Sequence, residues 1–195
     1  MALNDGRAMC CGGYNDEEFY LDSVEFWTLP DVRMVRKRRG HRAVVLQDGN
    51  VLIMGGFGHS NYASSCEIYD VRANAFKSVS AMKATRSFPS GCLLPSGNVF
   101  ICGGFNDTDG HLSTCEEYNP SADTWTMDEN NIPSMIERRS DHGCMLLRDG
   151  NTVVAFGGHG DIHDHLSSSE YYNITTNIWT SGPSFPQPVS DFSFA

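Results

Sequence analysis

The chain has 195 residues, about one to one and a half ordinary domains and enough to bury a sizeable core. Hydrophobic residues make up 40% and charged residues 19%, which excludes a disordered chain, while 19 glycines and 8 prolines suit a turn-rich all-β fold. The net charge of −10 argues against a general nucleic-acid partner, whose phosphates it would repel, and no run of 18 apolar residues offers a membrane span.

In chain order, the first unit opens at the turn Leu3-Asn4-Asp5-Gly6 and runs into an apolar strand, Ala8 to Cys11, that ends in Gly12-Gly13. A loop from Tyr14 to Leu21 leads to a further strand at Val24-Glu25-Phe26-Trp27. The second unit is fuller. Arg38 to Leu46 reads as a first strand and Gln47-Asp48-Gly49-Asn50 as a tight hairpin turn. Val51 to Met54 returns as an apolar strand, and Gly55-Gly56 ends it, glycine there permitting positive φ and close backbone approach. A polar loop, Phe57 to Ser64, precedes a third strand at Glu67-Ile68-Tyr69 and a fourth around Phe76.

The third unit repeats this order with Gly103-Gly104, Glu116-Glu117-Tyr118 and Trp125, and the last with Gly157-Gly158, Glu170-Tyr171-Tyr172 and Trp179. The doublets start at 12, 55, 103 and 157, a recurrence that marks a repeat architecture of four short antiparallel strands per unit. From Tyr69 to Phe76, Tyr118 to Trp125 and Tyr172 to Trp179 the interval is seven residues. A fixed interval between two large rings points to one packing task, a wedge between neighbouring sheets, rather than a ligand platform. In the first unit Trp27 takes the tyrosine place and Met34 stands where the later aromatic belongs.

These spaced features resemble the kelch repeat: an apolar strand ending in Gly-Gly, then Glu-x-Tyr, then Trp seven residues on. The resemblance covers almost the whole chain, with Phe76 and Met34 as departures from it. It implies a β-propeller of four-stranded antiparallel blades, the first strand innermost and the fourth outermost. The units fall at about 1–35, 36–83, 84–135 and 136–188, forming one propeller domain over 1–195. Residues 189–195 look like another first strand, able to complete the first unit and close a four-blade ring. The alternative is that the four units are a piece of a larger propeller.

In a propeller the loops after the doublets share a face with the connections between blades, and long loops on a rigid scaffold are where function sits. Candidate binding residues there are Tyr14, Phe57, Asn61, Phe105, Asn106 and His159. The connections add basic residues at recurring positions: Arg38, Arg39, Arg86, Arg138 and Arg139. In a closed ring these arginines would converge at one mouth of the channel and favour an acidic peptide through bidentate carboxylate contacts. The competing expectation pairs them with acidic loop residues, among them Asp161 and Asp164.

The resemblance implies a protein-interaction module, the substrate-recognition part of an adaptor, with another protein or an acidic peptide segment as partner. The rival it carries is a galactose oxidase-like or sialic-acid-related propeller. No Ser-His-Asp, paired-carboxylate or phosphate-loop pattern stands out, so no enzyme, no catalytic residue and no cofactor are expected. His159-Gly160-Asp161-Ile162-His163-Asp164-His165 has ligand types suited to zinc or copper, but the expectation is a solvated loop and no metal. His41 and His142 share one repeat position, held by Pro89 in the third unit, and read as structural. Seven cysteines without a C-x-x-C pair read mostly as small buried hydrophobes; with no signal-peptide pattern they suggest a reducing, cytoplasmic setting.

Overall fold

A computed structural model describes residues 9–13, 21–26, 32–58, 61–162 and 164–190. The described residues form strands and connections, with no helix among them. The first sheet holds β1 (Met9–Gly13), β2 (Leu21–Phe26) and β3 (Val32–Arg33), in that order. The second unit gives β4 (Arg42–Val45), β5 (Val51–Met54), a small hairpin of β6 (Phe57–Gly58) and β7 (Asn61–Tyr62), then β8 (Cys66–Asp70) and β9 (Ala75–Val79). The third repeats it with β10 (Ser90–Leu93), β11 (Val99–Cys102), the hairpin β12 (Phe105–Asn106) and β13 (Gly110–His111), β14 (Cys115–Asn119) and β15 (Thr124–Thr126). The fourth has β16 (Gly143–Leu146), β17 (Thr152–Phe156), β18 (Ser169–Asn173) and β19 (Ile178–Ser181).

Three sheets are therefore four-stranded and antiparallel, in the orders β4-β5-β8-β9, β10-β11-β14-β15 and β16-β17-β18-β19. These are the four-stranded propeller blades that the kelch resemblance implies. The first strands stand side by side, β10 between β4 and β16, and Arg42 Nε donates to Gly91 O across that line at 3.2 Å. The first sheet has three strands. The stretch expected to complete it, residues 189–195, lies largely outside the described residues, as do residues 1–8.

Each hydrophobic core lies between two blades. Met9, Val24 and Met34 of the first sheet pack with Val51, Ile53 and Tyr69 of the second. Leu52, Met54 and Ile68 pack with Val99, Tyr118 and Trp125, and Phe100 and Cys102 with Val153, Tyr172 and Trp179. The apolar strands β5 and β11 are buried throughout, covered on both faces, which is why they read as continuous hydrophobic runs.

The seven-residue aromatic interval has a direct cause. Tyr69 pairs in register with Phe76, Tyr118 with Trp125 and Tyr172 with Trp179 across the third and fourth strands. Ring centroids lie 5.1, 5.0 and 5.2 Å apart. Each tyrosine hydroxyl donates to a side-chain oxygen in the turn between those strands: Asn74, Asp123 and Asn177. Trp125 and Trp179 donate Nε1–H back to the preceding unit, to Ser80 O and Pro133 O. The ring pairs thus wedge adjacent blades together.

The doublets are held by backbone. Gly55 has φ +67° and Gly56 φ +99°, and a Cβ on Gly55 would lie 2.5 Å from Arg86 O. The Gly56 amide donates to that same carbonyl at 2.8 Å, so the connection to the next blade rests directly on the glycines. The equivalent bonds run from Gly104 N to Arg139 O and from Gly158 N to Val189 O.

Candidate functional site

Each connection between blades delivers one arginine into the interior. Arg38, Arg86 and Arg139 are 1%, 0% and 0% exposed. Their guanidinium groups donate to the carbonyl of the doublet's first glycine, Gly55, Gly103 or Gly157. They also meet the carbonyl and hydroxyl of Ser65, Thr114 or Ser168. A buried carboxylate completes each set: Arg38–Glu67 at 2.6 Å, Arg86–Glu116 at 3.0 Å and Arg139–Glu170 at 2.7 Å. The same carboxylates accept backbone amides from the connection: Val35 and Arg36, Lys83 and Ala84, Ile136 and Glu137.

The expectation that these arginines ring a mouth and receive an acidic peptide is corrected for Arg38, Arg86 and Arg139. They are structural clamps, because a guanidinium needs a carboxylate and several acceptors to leave water, and the repeat supplies both. Neither are their partners the acidic loops. The glutamate of each Glu-x-Tyr element fills that role. Arg138 does pair with a loop aspartate, Asp161, at 3.7 Å, and donates to Asp109 O and His111 O, joining the loops of the third and fourth blades.

The next residue in each connection lines a cavity, half-buried at Arg39 and buried at Ser87 and Ser140. Arg39, Ser87 and Ser140 form isolated backbone bridges with Phe57, Phe105 and His159, the residues that follow the doublets. One position further, Gly40, Phe88 and Asp141 all have left-handed backbones, with φ +60°, +50° and +51°. They link in series: Phe88 N donates to Gly40 O at 2.6 Å, and Asp141 N to Phe88 O at 2.9 Å. Together with His111 and Asp164, most of these residues line a cavity of about 450 Å³ at the loop end of the three blades.

The structure brings Arg39, Phe57, Phe105 and His159 together on this cavity. The Arg39 guanidinium carbon lies 5.6 Å from the centre of the Phe57 ring, and Phe105 meets His111 edge to face at 5.2 Å. His111 Nδ1 is 3.0 Å from Ser140 Oγ, and desolvation, opposed by the nearby Asp161, lowers its pKa. Asn106 is corrected as a binding candidate. It is buried, donating to Thr85 O and Asp109 Oδ2 and accepting from the amides of Thr108 and Asp109, so it shapes its own loop. Asn61 lies in β7, opposite Gly58. Tyr14 falls outside the described residues.

Sequence reasoning passed over Ser87, Phe88, Ser140 and Asp141. The signal was present for Phe88 and Asp141: each follows a recurring arginine by two positions, where the side chain changes in every unit. His41 and His142 lie beneath this floor, with Nε2 at 3.3 Å from Cys11 Sγ and 3.4 Å from Cys102 Sγ. Burial lowers the His41 pKa to about 4, Arg38 adding a smaller effect, while burial raises the Cys11 thiol to about 11.

Three repeated blades of this form define a kelch propeller, and residues 38–83, 88–129 and 138–186, more than half of the chain, match the Kelch motif model. The chain belongs to the kelch-repeat family. It is 40% identical over 68 residues to Kelch-like protein 7 of Rattus norvegicus, covering 35% of this chain and 10% of that protein. It is 27% identical over 147 residues to the F-box/kelch-repeat protein SKIP20 of Arabidopsis thaliana, covering 70% of this chain and 34% of that protein. To Kelch domain-containing protein 8B of Bos taurus it is 27% identical over 128 residues, with 62% and 35% covered. The chain thus spans about a third or less of the length of these relatives.

Proposed function

We propose that the cavity at the loop end of the blades binds a short segment of a partner protein. One observation carries this reading: equivalent positions of three blades converge on one concavity, yet no two blades contribute the same set of side chains there. Phe57, Phe88 and Phe105 supply aromatic surface at low conformational cost, the composition of binding hot spots. Arg39 sets a planar cation beside them, suited to a carboxylate of the partner. A volume of about 450 Å³ fits one or two side chains rather than a folded surface. The partner segment is therefore acidic at one position and apolar at the next, and the blades act as the recognition part of an adaptor rather than as an enzyme.

A displayed random-peptide library panned against the chain tests this. Enriched sequences are expected to place Asp or Glu next to an apolar residue, to weaken as salt is raised, and to be lost on Arg39→Ala or Phe105→Ala. Enrichment that survives both substitutions, or the absence of any enrichment, overturns the proposal.

A further inference from the structure

We propose that His159, Asp164 and His165 form a binding site for a borderline divalent cation, Zn²⁺ being the type, at the rim of the cavity. The inference stands apart from the partner reading, since a cation can bind here with or without a peptide. It departs from the sequence expectation of a solvated loop.

One nitrogen of each histidine and one carboxylate oxygen of Asp164 all lie within 4.8 Å of one another. The two imidazole rings sit 4.8 Å apart, tilted by 49°. His159 Nδ1 is 3.5 Å from Asp164 Oδ1, and His165 Nε2 is 3.8 Å from Asp164 Oδ2, so each ring has one carboxylate oxygen near it. Two imidazoles and one carboxylate make a three-ligand set of the kind zinc accepts with a fourth position open. Tetrahedral bonds of about 2.0–2.1 Å would bring the donors roughly 3.3 Å apart, a contraction of about 1.5 Å. The exposed side chains of Asp164 and His165, at 90% and 50%, can supply that movement.

A second observation comes from outside the cluster. His165 Nδ1 lies 2.9 Å from Ser190 Oγ, in the segment that leaves the fourth blade. An imidazole whose Nδ1 is held by an oxygen turns Nε2 toward the ligand position, the usual outer support of a metal-bound histidine. The main chain of that segment is itself anchored, Val189 N donating to Leu166 O and Gly158 N to Val189 O. His159 is fixed in turn: its backbone pairs with Ser140, and its Nδ1 lies 2.6 Å from Asp164 O. His159 and Asp164 also line the cavity, so the cluster adjoins the space in which a partner or solvent oxygen would sit. His163 lies outside the described residues.

Calorimetric titration of zinc into the metal-free, thiol-reduced chain at pH 7.5 tests the proposal. One equivalent is expected to bind, weakened at least about ten-fold by Asp164→Asn and lost in the His159→Ala/His165→Ala double variant. Near-UV circular dichroism reports whether each variant keeps its tertiary structure. No heat of binding at 100-fold excess zinc, or one equivalent retained by the folded double variant, overturns the inference. The latter result would assign the cation to the cysteines instead.

Discussion

Arg38, Arg86 and Arg139 each stand one residue before Arg39, Ser87 and Ser140. The first three share one side chain, one kind of partner and near-zero exposure. The second three, an arginine and two serines, share a backbone bridge to the residue after the doublet, and the residues next to them, Gly40, Phe88 and Asp141, differ in charge, size and chemistry while sharing a left-handed backbone. Neighbouring positions of one repeat thus serve opposite ends. Where the side chain itself closes the fold, the chain repeats it; where the main chain closes the fold, the side chain changes from blade to blade. Repetition within the sequence marks what holds the propeller together, and departure from it marks the face available for recognition.

The sharpest way to break this contrast is at the clamp. Arg86→Leu leaves Glu116 buried without its cation, and should cost about 3–5 kcal/mol, read as a lowered urea midpoint. An unchanged midpoint would mean the clamp does not stabilise the blade. Acidification probes the layer beneath. The folded-state pKa of His41, about 4, lies below its ordinary 6.5, so the unfolded chain binds the extra proton between those values. Its contribution is present above pH 6.5 and is lost as pH falls toward 4, by at most about 3 kcal/mol. His41→Gln should flatten the stability profile over that window, as followed by thermal melts. At the doublet, Gly55→Ala places a Cβ against Arg86 O on a left-handed backbone and should destabilise by about 2 kcal/mol in the same urea assay. The smallest effect on folding belongs to the mouth. Phe88→Gly removes a side chain that is 40% exposed and carries φ +50°, so stability should hold or rise by up to about 1 kcal/mol. Peptide affinity should drop about ten-fold in that variant, by fluorescence anisotropy.

The blades were legible in the sequence because their signals are local and repeated. A doublet, a turn and a ring pair at a fixed interval need only strand pairing to explain them. The clamps were half legible. Arg86 and Glu116 each recur once per unit, but they are 30 residues apart, and nothing in either segment alone says that the two meet under a glycine carbonyl. A run such as Arg36-Lys37-Arg38-Arg39 reads as one basic surface, yet burial separates Arg38 from its neighbours. Asn106 misled for a related reason. A polar residue in a loop after a doublet looks outward until the loop folds over it and uses its oxygen to cap two amides. The cavity depended on the relative placement of three connections, which pairing within a blade does not convey.

The series of main-chain bonds from Gly40 through Phe88 to Asp141 acts as a hoop that is indifferent to the residues threaded on it. Gly40 alone is committed, since the ring of Phe88 occupies the space its Cβ would take. The remaining places work like interchangeable tool heads on a common handle. On the proposed partner reading, new specificities can be written there by exchanging single residues without retuning the blades, and mutational drift at this rim would alter what is recognised long before it altered whether the protein folds.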